Sequence, residues 1–487
     1  MKKVLLAVIV VVIVLGAIAA WRADTVFVDN QPQPAAGVGK VDLDHVAALQ
    51  RFSDALTIPT VSYDDRTHFD AEAFLAFQDF LETAYPLVNQ RAQRTIVNEF
   101  SVVYALPGSD PSLEPVLFLS HMDVVPVEDT TLEDWTYPPF SGTVADGMIW
   151  GRGSMDDKLG VISLMEAMET LLQRGVTPRR SIYLAFGHDE EVMGRDGAAK
   201  IAEYFQQQGL RFDFVVDEGG VVTEGLMTGV DRPVAIIGVS EKGFVNLRLT
   251  VDAPGGHSSQ PPPHTALGIL AEAIVKVEDS PFPAHLDPIM QTFDAIGAYS
   301  PFMSRLIMGN LWLFSPLVKA TMLADQNQAP GIHTTTAATM ASASPKANIL
   351  PTRAEAVINF RILPGETVDT VKDRVVRLID DDRVQVTEEY ANNPSPVSPT
   401  DSRGYRMIAS TIRGFDDNVL VAPYVVRGGT DSRYYYAVSP NVYRFLMARV
   451  DPQTMHYIHG IDEHVAIDDF LQAIRFYYEL MRQAGSD

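Results

Sequence analysis

The sequence predicts an α/β fold: a doubly wound, mostly parallel sheet with an inserted α+β domain. Short apolar runs, which are typical of strands buried on both faces, lie at residues 116–119, 181–186 and 212–216. Between the first two, apolar residues recur with helical spacing from Val161 and stop before Gly175, as at a helix C-terminus. Strand, loop and helix therefore alternate.

The pattern changes after residue 239. Residues 244–251 and 356–361 alternate between apolar and polar side chains, which is typical of antiparallel strands with one face open to water. We therefore expect a second domain inserted into the first. The expected segments are 1–22, a membrane anchor or signal peptide; 23–41, a linker; 42–238 and 393–487, the two parts of the main domain; and 239–392, an inserted lid or dimerisation domain.

The N-terminus carries the membrane signal. Lys2 and Lys3 precede an apolar stretch that runs to Trp21 and is followed by Arg22. The stretch is just long enough to span a bilayer, which needs roughly 17 to 25 residues, and the flanking charges then place the rest of the chain on the non-cytoplasmic side. The small residues at 17–19 also resemble a cleavage site, which would give a secreted or periplasmic protein.

The amino-acid composition limits the partners and the metal ligands that this chain can use. A net charge of −24 argues against nucleic acid as a partner, because neutralising phosphates needs a basic surface. The chain has no cysteine, which excludes disulfides and thiolate metal sites. Any bound metal must therefore be held by imidazole and carboxylate groups, a ligand set that Zn²⁺ accepts and that Co²⁺ or Mn²⁺ can share.

Acidic and imidazole side chains follow the apolar runs and lie where each predicted strand ends. The carboxyl ends of parallel strands share one edge of the sheet, where open α/β sheets collect ligands. A two-metal hydrolase needs a bridging carboxylate, further ligands and a general base, and the pattern indicates such a site. The residues concerned are His121, Asp123, Asp156, Asp157, Asp189, Glu190, Glu191, Asp217 and Glu218, with His459 near the C-terminus.

Together the motifs closely resemble those of the dizinc aminoacylase and carboxypeptidase family. They are Ser-His-Met-Asp-Val-Val-Pro at 120–126, Gly-Arg-Gly-Ser-Met-Asp-Asp-Lys at 151–158, Asp-Glu-Glu at 189–191 and Gly-Gly-His-Ser at 255–258. The order and spacing of the motifs match the family from about residue 42 to the C-terminus.

The resemblance implies two Zn²⁺ ions bridged by Asp156, with a cis peptide bond between Asp156 and Asp157. The other implied ligands are His121, Glu191, Glu218 and His459, with Asp217 in reserve for Glu218.

The resemblance also implies roles around the metals. Glu190 would be the general base, and Asp123 would orient the imidazole of His121. His257, which in relatives often comes from the partner subunit, would stabilise the oxyanion. The implied contacts to the substrate and its carboxylate are Asn348, Arg361, Gly429 and Thr430.

Three features resemble the carboxypeptidase S branch of the family: the N-terminal apolar segment, Asp-Glu-Gly-Gly at 217–220 and a long inserted domain with Trp-Leu-Phe at 312–314. The implied reaction releases an amino acid with a free carboxylate from N-acyl, including N-fatty-acyl, amino acids. The alternatives are a carboxypeptidase or dipeptidase on short peptides, and an inactive membrane-anchored binding protein. Residues 281–325 could cap the site, line an acyl pocket, form a subunit interface or be core, and monomer and homodimer both stay open.

Overall fold

The computed structural model describes residues 1–39, 41–227 and 229–486. Side-chain caps begin several helices; Asp44, Asp70 and Ser402, for example, each accept a backbone N–H of the first turn that follows. Within the described ranges the α-helices are α1 (Lys2–Thr25), α2 (His45–Leu56), α3 (Ala71–Ala84), α4 (Pro86–Arg91), α5 (Lys158–Gln173), α6 (Ala198–Gln207), α7 (Ala266–Glu278), α8 (Asp287–Ile296), α9 (Phe302–Met308), α10 (Leu311–Leu323), α11 (Val368–Ile379), α12 (Arg403–Phe415) and α13 (Ile467–Ser486).

The strands of the same ranges form four sheets. They are β1 (Gln93–Val97), β2 (Ser101–Leu106), β3 (Val116–His121), β4 (Thr143–Ala145), β5 (Met148–Trp150), β6 (Ile182–Gly187), β7 (Phe214–Asp217), β8 (Val222–Thr223), β9 (Val234–Glu241), β10 (Gly243–Asp252), β11 (Gly256–His257), β12 (Thr335–Ser342), β13 (Ile349–Leu350), β14 (Arg353–Ile362), β15 (Val384–Asn392), β16 (Leu420–Val426), β17 (Val442–Arg444), β18 (Arg449–Val450) and β19 (His464–Ala466).

The main sheet has ten strands in the order β1-β2-β6-β3-β7-β17-β9-β8-β18, with β16 also paired to β9. At its centre β3 runs parallel to β6 on one side and to β7 on the other. β17 comes from the C-terminal part of the chain and lies between β7 and β9. The sheet therefore needs both ends of the chain.

Helices cover both faces of the main sheet, which confirms the predicted doubly wound fold. On one face α2, α5 and α13 bury residues such as Phe52, Leu164 and Phe476 in the largest core. On the other face α6 buries Ile201 and Phe205. Helix α5 is buried from Lys158 to Leu171, so it is enclosed on nearly all sides, and its buried Glu166 and Glu169 are hydrogen bonded to Arg51 and to backbone N–H groups of α4.

The second sheet is antiparallel, in the order β12-β14-β10-β15, and α7 and α11 pack on one of its faces through residues such as Leu270 and Val371. This is the inserted α+β unit that the fold class predicted. The chain passes from the main sheet to this one at Lys242, between β9 and β10. The expected boundary at residues 238/239 thus falls inside β9, because the strand continues beyond its apolar residues through Ser240 and Glu241.

Two small sheets place loops beside the main sheet. β19 pairs with β5, which brings the segment around residue 464 next to residues 148–150. β11 pairs with β13, so that His257 lies opposite Ile349. Residues 281–325 include α8, α9 and α10, which lie outside the second sheet; α8 packs on β16 and α9 contacts α1. Among the described residues, α1 is the one helix that is by itself long and apolar enough to span a membrane; α9 and α10 pass that test only as a pair bent by 105°.

A buried ion pair joins the last residues of β9 and β17. The side chains of Glu241 and Arg444 are both fully buried, and Arg444 Nε donates to Glu241 Oε2 at 3.0 Å. The same oxygen accepts the backbone N–H of Thr430 at 3.0 Å and its hydroxyl at 2.9 Å. One carboxylate therefore holds two strands and the loop that follows β16.

The substitution Arg444→Met should lower the free energy of unfolding by about 3–5 kcal/mol, because it leaves the carboxylate of Glu241 buried without its cation. Urea unfolding followed by circular dichroism measures this change. Arg353→Met is the matched control, since Arg353 pairs with Asp252 in solvent and the change should leave stability nearly unaltered. Equal effects of the two substitutions would contradict the role given to the buried pair.

Candidate metal centre

The three central strands end side by side at one edge of the main sheet. β3 ends at His121, β6 at Gly187 and β7 at Asp217. The strands are parallel, and the register of β3 and β6 pairs His121 with Gly187. Residues that follow these strands therefore meet at the carboxyl edge, as the sequence pattern predicted.

Ligand atoms of His121, Asp156 and Glu191 lie within 4.8 Å of one another. His121 Nε2 is 3.0 Å from Asp156 Oδ1, while His459 Nε2 is 3.0 Å from Asp156 Oδ2 and 3.3 Å from Glu191 Oε2. Each oxygen of Asp156 thus faces a different imidazole, an arrangement suited to a bridging carboxylate. The Asp156–Asp157 peptide bond is cis, as the resemblance implied.

Glu218 and its reserve Asp217 differ in their surroundings. Asp217 Oδ2 accepts the backbone N–H of Ser432 at 2.7 Å, so this carboxylate is engaged by the protein. In the described part of the chain the carboxylate of Glu218 has no hydrogen-bond or ion-pair partner. Burial and then the charge of Asp156 raise the pKa of Glu218 well above its usual value. Glu218 is therefore the better available ligand.

The pKa shifts of Glu191, His121 and His459 show that negative charge is concentrated around Asp156. Burial, followed by the charges of neighbouring carboxylates, raises the pKa of Glu191. Burial alone would lower the pKa of His121, but Asp123 and Asp156 outweigh it and the net pKa lies well above the usual value. Hydrogen bonds to Asp156 and Glu191 raise the pKa of His459 to about 10.

The donor set fits a metal ion. Glu191 Oε1 is buried and has no hydrogen-bond partner among the described residues, which is costly unless a cation faces it. Imidazole and carboxylate groups at these positions form a ligand set typical of Zn²⁺. We call Asp156, Glu190, Glu191 and Glu218 the carboxylate cluster.

Asp123 fixes the turn that carries Glu190 and Glu191. Its carboxylate accepts the backbone N–H of both residues at 3.1 Å. The Nδ1 atom of His121 bonds to the main-chain carbonyl of Asp123 at 3.0 Å, with the carboxylate Oδ1 at 3.4 Å. Asp123 therefore orients His121 through its carbonyl as well as its side chain, a detail that the sequence did not predict.

Glu190 faces Arg433. Burial is the main cause that raises the pKa of Glu190, and the charges of His121 and then of Arg433, whose Nη2 is 3.5 Å from Glu190 Oε1, lower it in part. The side chain of Arg433 is only 7% exposed. Arg433 was assigned no role from the sequence, although it lies close to Gly429 and Thr430 in the segment Gly-Gly-Thr-Asp-Ser-Arg at 428–433, which was the available signal.

Glu463 joins the loop that carries Asp156 to the loop that carries His459. Its carboxylate is fully buried and accepts the N–H groups of Gly153, Met155 and Asp156 at 2.8 to 3.2 Å. It also accepts Arg152 Nη1 at 2.5 Å, and Arg152 Nη2 donates to the carbonyl of Gly460 at 3.0 Å.

The path of the loop also depends on Gly153. Gly153 has a φ of +84°, and a Cβ there would lie 2.5 Å from Val124 Cγ1. Arg152 lies in the motif at 151–158 and Glu463 lies four residues after His459, but neither residue was assigned a role from the sequence.

The predicted contacts from the inserted domain lie apart from the cluster. His257 and Asn348 are exposed on the β11–β13 ribbon, where Ser258 N–H donates to the carbonyl of Asn348. The side-chain hydrogen bond of His257 goes to Ser259 at 2.8 Å. The structure therefore does not bring His257 to the metal ligands.

Arg361 lies nearer to the site than His257. Arg361 is on β14, and burial and then the charge of Arg433 lower its pKa, so the two guanidinium groups face one region.

Gly429 and Thr430 lie in the loop after β16. The N–H and hydroxyl of Thr430 both donate to Glu241, so the amide of Thr430 is already engaged. A Cβ on Gly429 would lie 2.7 Å from Arg433 Nη1, which shows that the guanidinium lies against this glycine. The loop therefore seats Arg433 beside Glu190.

The sequence was compared with families and individual proteins. The profile of "Peptidase family M20/M25/M40" matches residues 117–483. A probable carboxypeptidase S-like protein of Dictyostelium discoideum is 38% identical over 90% of this chain and 85% of its own length. An N-fatty-acyl-amino acid synthase/hydrolase of Bos taurus is 37% identical over 91% of this chain and 88% of its own. Carboxypeptidase S of Saccharomyces cerevisiae is 31% identical over 89% and 83%.

Solved structures share the fold. An M20 family metallo-carboxypeptidase of Sulfolobus solfataricus superposes with a TM-score of 0.67 at 19% identity, covering 90% of this chain and 99% of its own. Human carnosine dipeptidase 1 gives a TM-score of 0.64 at 15% identity, covering 91% and 96%. At such identities the likeness concerns the fold alone.

The substitution Glu463→Gln should weaken Zn²⁺ binding by about 10–100-fold, because the loops carrying Asp156 and His459 lose the charge that aligns them. Competition with a chromophoric chelator measures the affinity. Asp462→Asn is the matched control: the neighbouring carboxylate bonds to Thr136, outside the cluster, and its loss should leave affinity unchanged. Equal affinities for the Glu463→Gln and unmodified proteins would contradict the positioning role of Glu463.

Proposed function

Because the chain belongs to peptidase family M20/M25/M40 and is a metallohydrolase, we propose that it is a two-zinc amide hydrolase acting on N-acyl amino acids. The product is an amino acid with a free carboxylate, and the acyl donors proposed include N-fatty-acyl amino acids. The observation that carries this proposal is the meeting of His121, Asp156, Glu191 and His459 beside the buried Glu190.

The metal ions would be held by the residues at the carboxyl edge of the main sheet. Asp156 would bridge, His121 and Glu218 would bind one ion, and Glu191 and His459 the other. Bound there, the ions would polarise the scissile carbonyl and supply an activated water, for which Co²⁺ or Mn²⁺ could substitute. An intact ligand set argues against the inactive binding protein.

Glu190 is proposed as the general base. Burial raises its pKa, which makes the carboxylate a stronger base toward the attacking water, whose proton it would return to the leaving amine. Asp123 fixes the backbone of Glu190 and Glu191 through their N–H groups, so that the two adjacent side chains serve different tasks. Arg433 faces Glu190 and limits the rise in its pKa.

A group of cations beside Glu190 is proposed to bind the free carboxylate of the substrate. Arg361 and Arg433 face one region, and the planar fork of arginine can pair both carboxylate oxygens. Lys242 lies near these arginines. Burial, followed by the charges of Arg427 and Arg361, lowers its pKa to about 7. His257 and Asn348 would reach the substrate in a closed arrangement of the same chain or from the partner in a homodimer.

Helix α1 is proposed to be a retained membrane anchor, with the hydrolase on the non-cytoplasmic side of the membrane. Ala19, the last of the small residues at 17–19, and Ala23 are buried against the rest of the protein, which supports a retained helix. The apolar residues of α8–α10 and the name of the Bos taurus relative support a fatty acyl group on the substrate.

Glu190→Gln should retain Zn²⁺ and lose turnover by about 100-fold or more, because the amide cannot accept the proton. His459→Ala should instead lose zinc, since it removes a proposed ligand. Zinc content by elemental analysis and amino acid release are measured on each protein, with His456→Ala, an exposed histidine of the same loop, as the control. Retention of most activity by Glu190→Gln would show that the base is wrongly assigned.

The substrate class is tested with panels of N-fatty-acyl amino acids, short N-acyl amino acids and dipeptides, with zinc and with chelator. We expect chelator-sensitive cleavage that is fastest on the fatty-acyl panel. Preference for dipeptides would instead identify a carboxypeptidase or dipeptidase, as the name of the Saccharomyces cerevisiae relative suggests. Zinc binding without cleavage of any panel would overturn the proposed substrates.

A further inference from the structure

The end of α1 packs against the corner between α9 and α10. Asn310, which is fully buried, donates from Nδ2 to the carbonyl of Ala19 at 3.0 Å. Arg22 Nε donates to the carbonyl of Gly309 at 3.1 Å, and Arg305 Nε donates to that of Ala23 at 3.1 Å. These bonds fix the two helices against the last turns of α1.

The packing is close as well as hydrogen bonded. The ring of Phe27 lies against Gly297, where a Cβ would come within 2.3 Å of the ring. Arg305 Nη2 also pairs with Asp24 at 3.1 Å. The charged side chain of α9 is therefore used to hold the end of α1 and does not point freely into solvent.

The outer face of α10 is apolar. Surface helices of globular proteins usually turn polar side chains outward. Of α10, Val318 is the buried residue, and it packs with Leu286 and Ile332. The exposed face consists instead of Trp312, Leu313, Pro316, Leu317, Ala320, Thr321 and Leu323.

Helix α9 continues this exposed apolar surface. Phe302 is 43% exposed and Met303 is 62% exposed. We call the exposed apolar residues of α9 and α10 the α9–α10 patch.

The length of α1 sets the depth of this patch. A helix rises about 1.5 Å per residue, so Val4 to Ala19 covers roughly 22 Å, less than a hydrocarbon core of about 30 Å. With Lys2 and Lys3 at the cytoplasmic boundary, Ala19 lies inside the outer boundary of the core. Asn310 is bonded to Ala19 and must lie at the same depth, and Trp312 is two residues further on.

We propose that the α9–α10 patch is embedded in the outer leaflet of the membrane that α1 crosses, so that the hydrolase is held directly on the bilayer surface. This rests on the proposed anchoring by α1. The occupant of the patch is lipid, because the patch is continuous with α1, whose length and composition fit a bilayer, and its exposed members carry no charge, while Lys319 of α10 is half-buried. Trp21 and Trp312 then lie at the interface that tryptophan favours.

The position of the α9–α10 patch in the membrane would affect how a lipophilic substrate reaches the site. α10 packs through Val318 on Ile332, and the carbonyls of Pro330 and His333 on either side accept hydrogen bonds from Lys242 at 2.9 Å. Lys242 belongs to the cations proposed to bind the substrate carboxylate. The α9–α10 patch is therefore linked, through Ile332 and the carbonyls beside it, to a cation of the proposed substrate-carboxylate site.

The chain has no cysteine, so single cysteines can carry an environment-sensitive fluorophore without background. Leu317→Cys reports on the α9–α10 patch and Val376→Cys on α11 is the control, since the two residues are 56% and 49% exposed. Val11→Cys in α1 reports on anchoring. Each full-length protein is reconstituted in phosphatidylcholine vesicles and quenched with spin-labelled lipid or with iodide.

We expect the labels at residues 317 and 11 to be quenched several-fold more by spin-labelled lipid than the label at 376, and to be protected from iodide. If the label at 11 is in lipid but that at 317 behaves like that at 376, the embedded patch is wrong while the anchor stands. Protection of 317 from both quenchers would overturn the proposal in favour of a protein contact. A label at 11 exposed to iodide would overturn the anchor and, with it, the patch.

Discussion

One buried carboxylate, Glu463, aligns the two halves of the metal centre. It accepts three backbone N–H groups of the loop that carries Asp156 and the guanidinium of Arg152, and Arg152 in turn holds the loop of His459. The residues it joins are about 310 positions apart in the chain. Because Asp156 faces both imidazoles, an error in the relative position of these loops would separate the ligands. The geometry of the centre therefore depends on a residue that touches no proposed metal.

A second buried carboxylate, Glu241, plays the corresponding part for the other side of the site. It fixes Thr430, and through this loop Arg433 is placed against Gly429 and beside Glu190. Glu463 therefore aligns the proposed metal ligands, and Glu241 aligns the proposed base and its neighbouring cations. The carboxylate cluster itself is kept together against mutual repulsion, so a bound cation would stabilise the folded protein as well as serve the reaction.

The sequence predicted the architecture for a clear physical reason. Buried parallel strands are apolar without interruption, and the residues after them must meet at one edge, so the pattern placed His121, Glu191 and Glu218 at that edge, while their roles as ligands stay predictions from the resemblance. The contribution of Glu463 could not be predicted, because a carboxylate gives no local sign that it will accept distant backbone groups. The sheet change at Lys242 could not be located, because β9 continues past its apolar residues through Ser240 and Glu241, and the exposed position of His257 depends on tertiary packing. The packing of α1 on α9 and α10 is equally non-local.

The strand order has a consequence for how the chain matures. β17, from residues 442–444, lies between β7 and β9, whose residues are made more than two hundred positions earlier. The main sheet cannot close until the ribosome has nearly finished, and contacts of such long sequence separation form slowly. Until residues 442–444 are made, β7 and β9 lack the strand that lies between them, so the central part of the main sheet forms only after most of the chain has been synthesised.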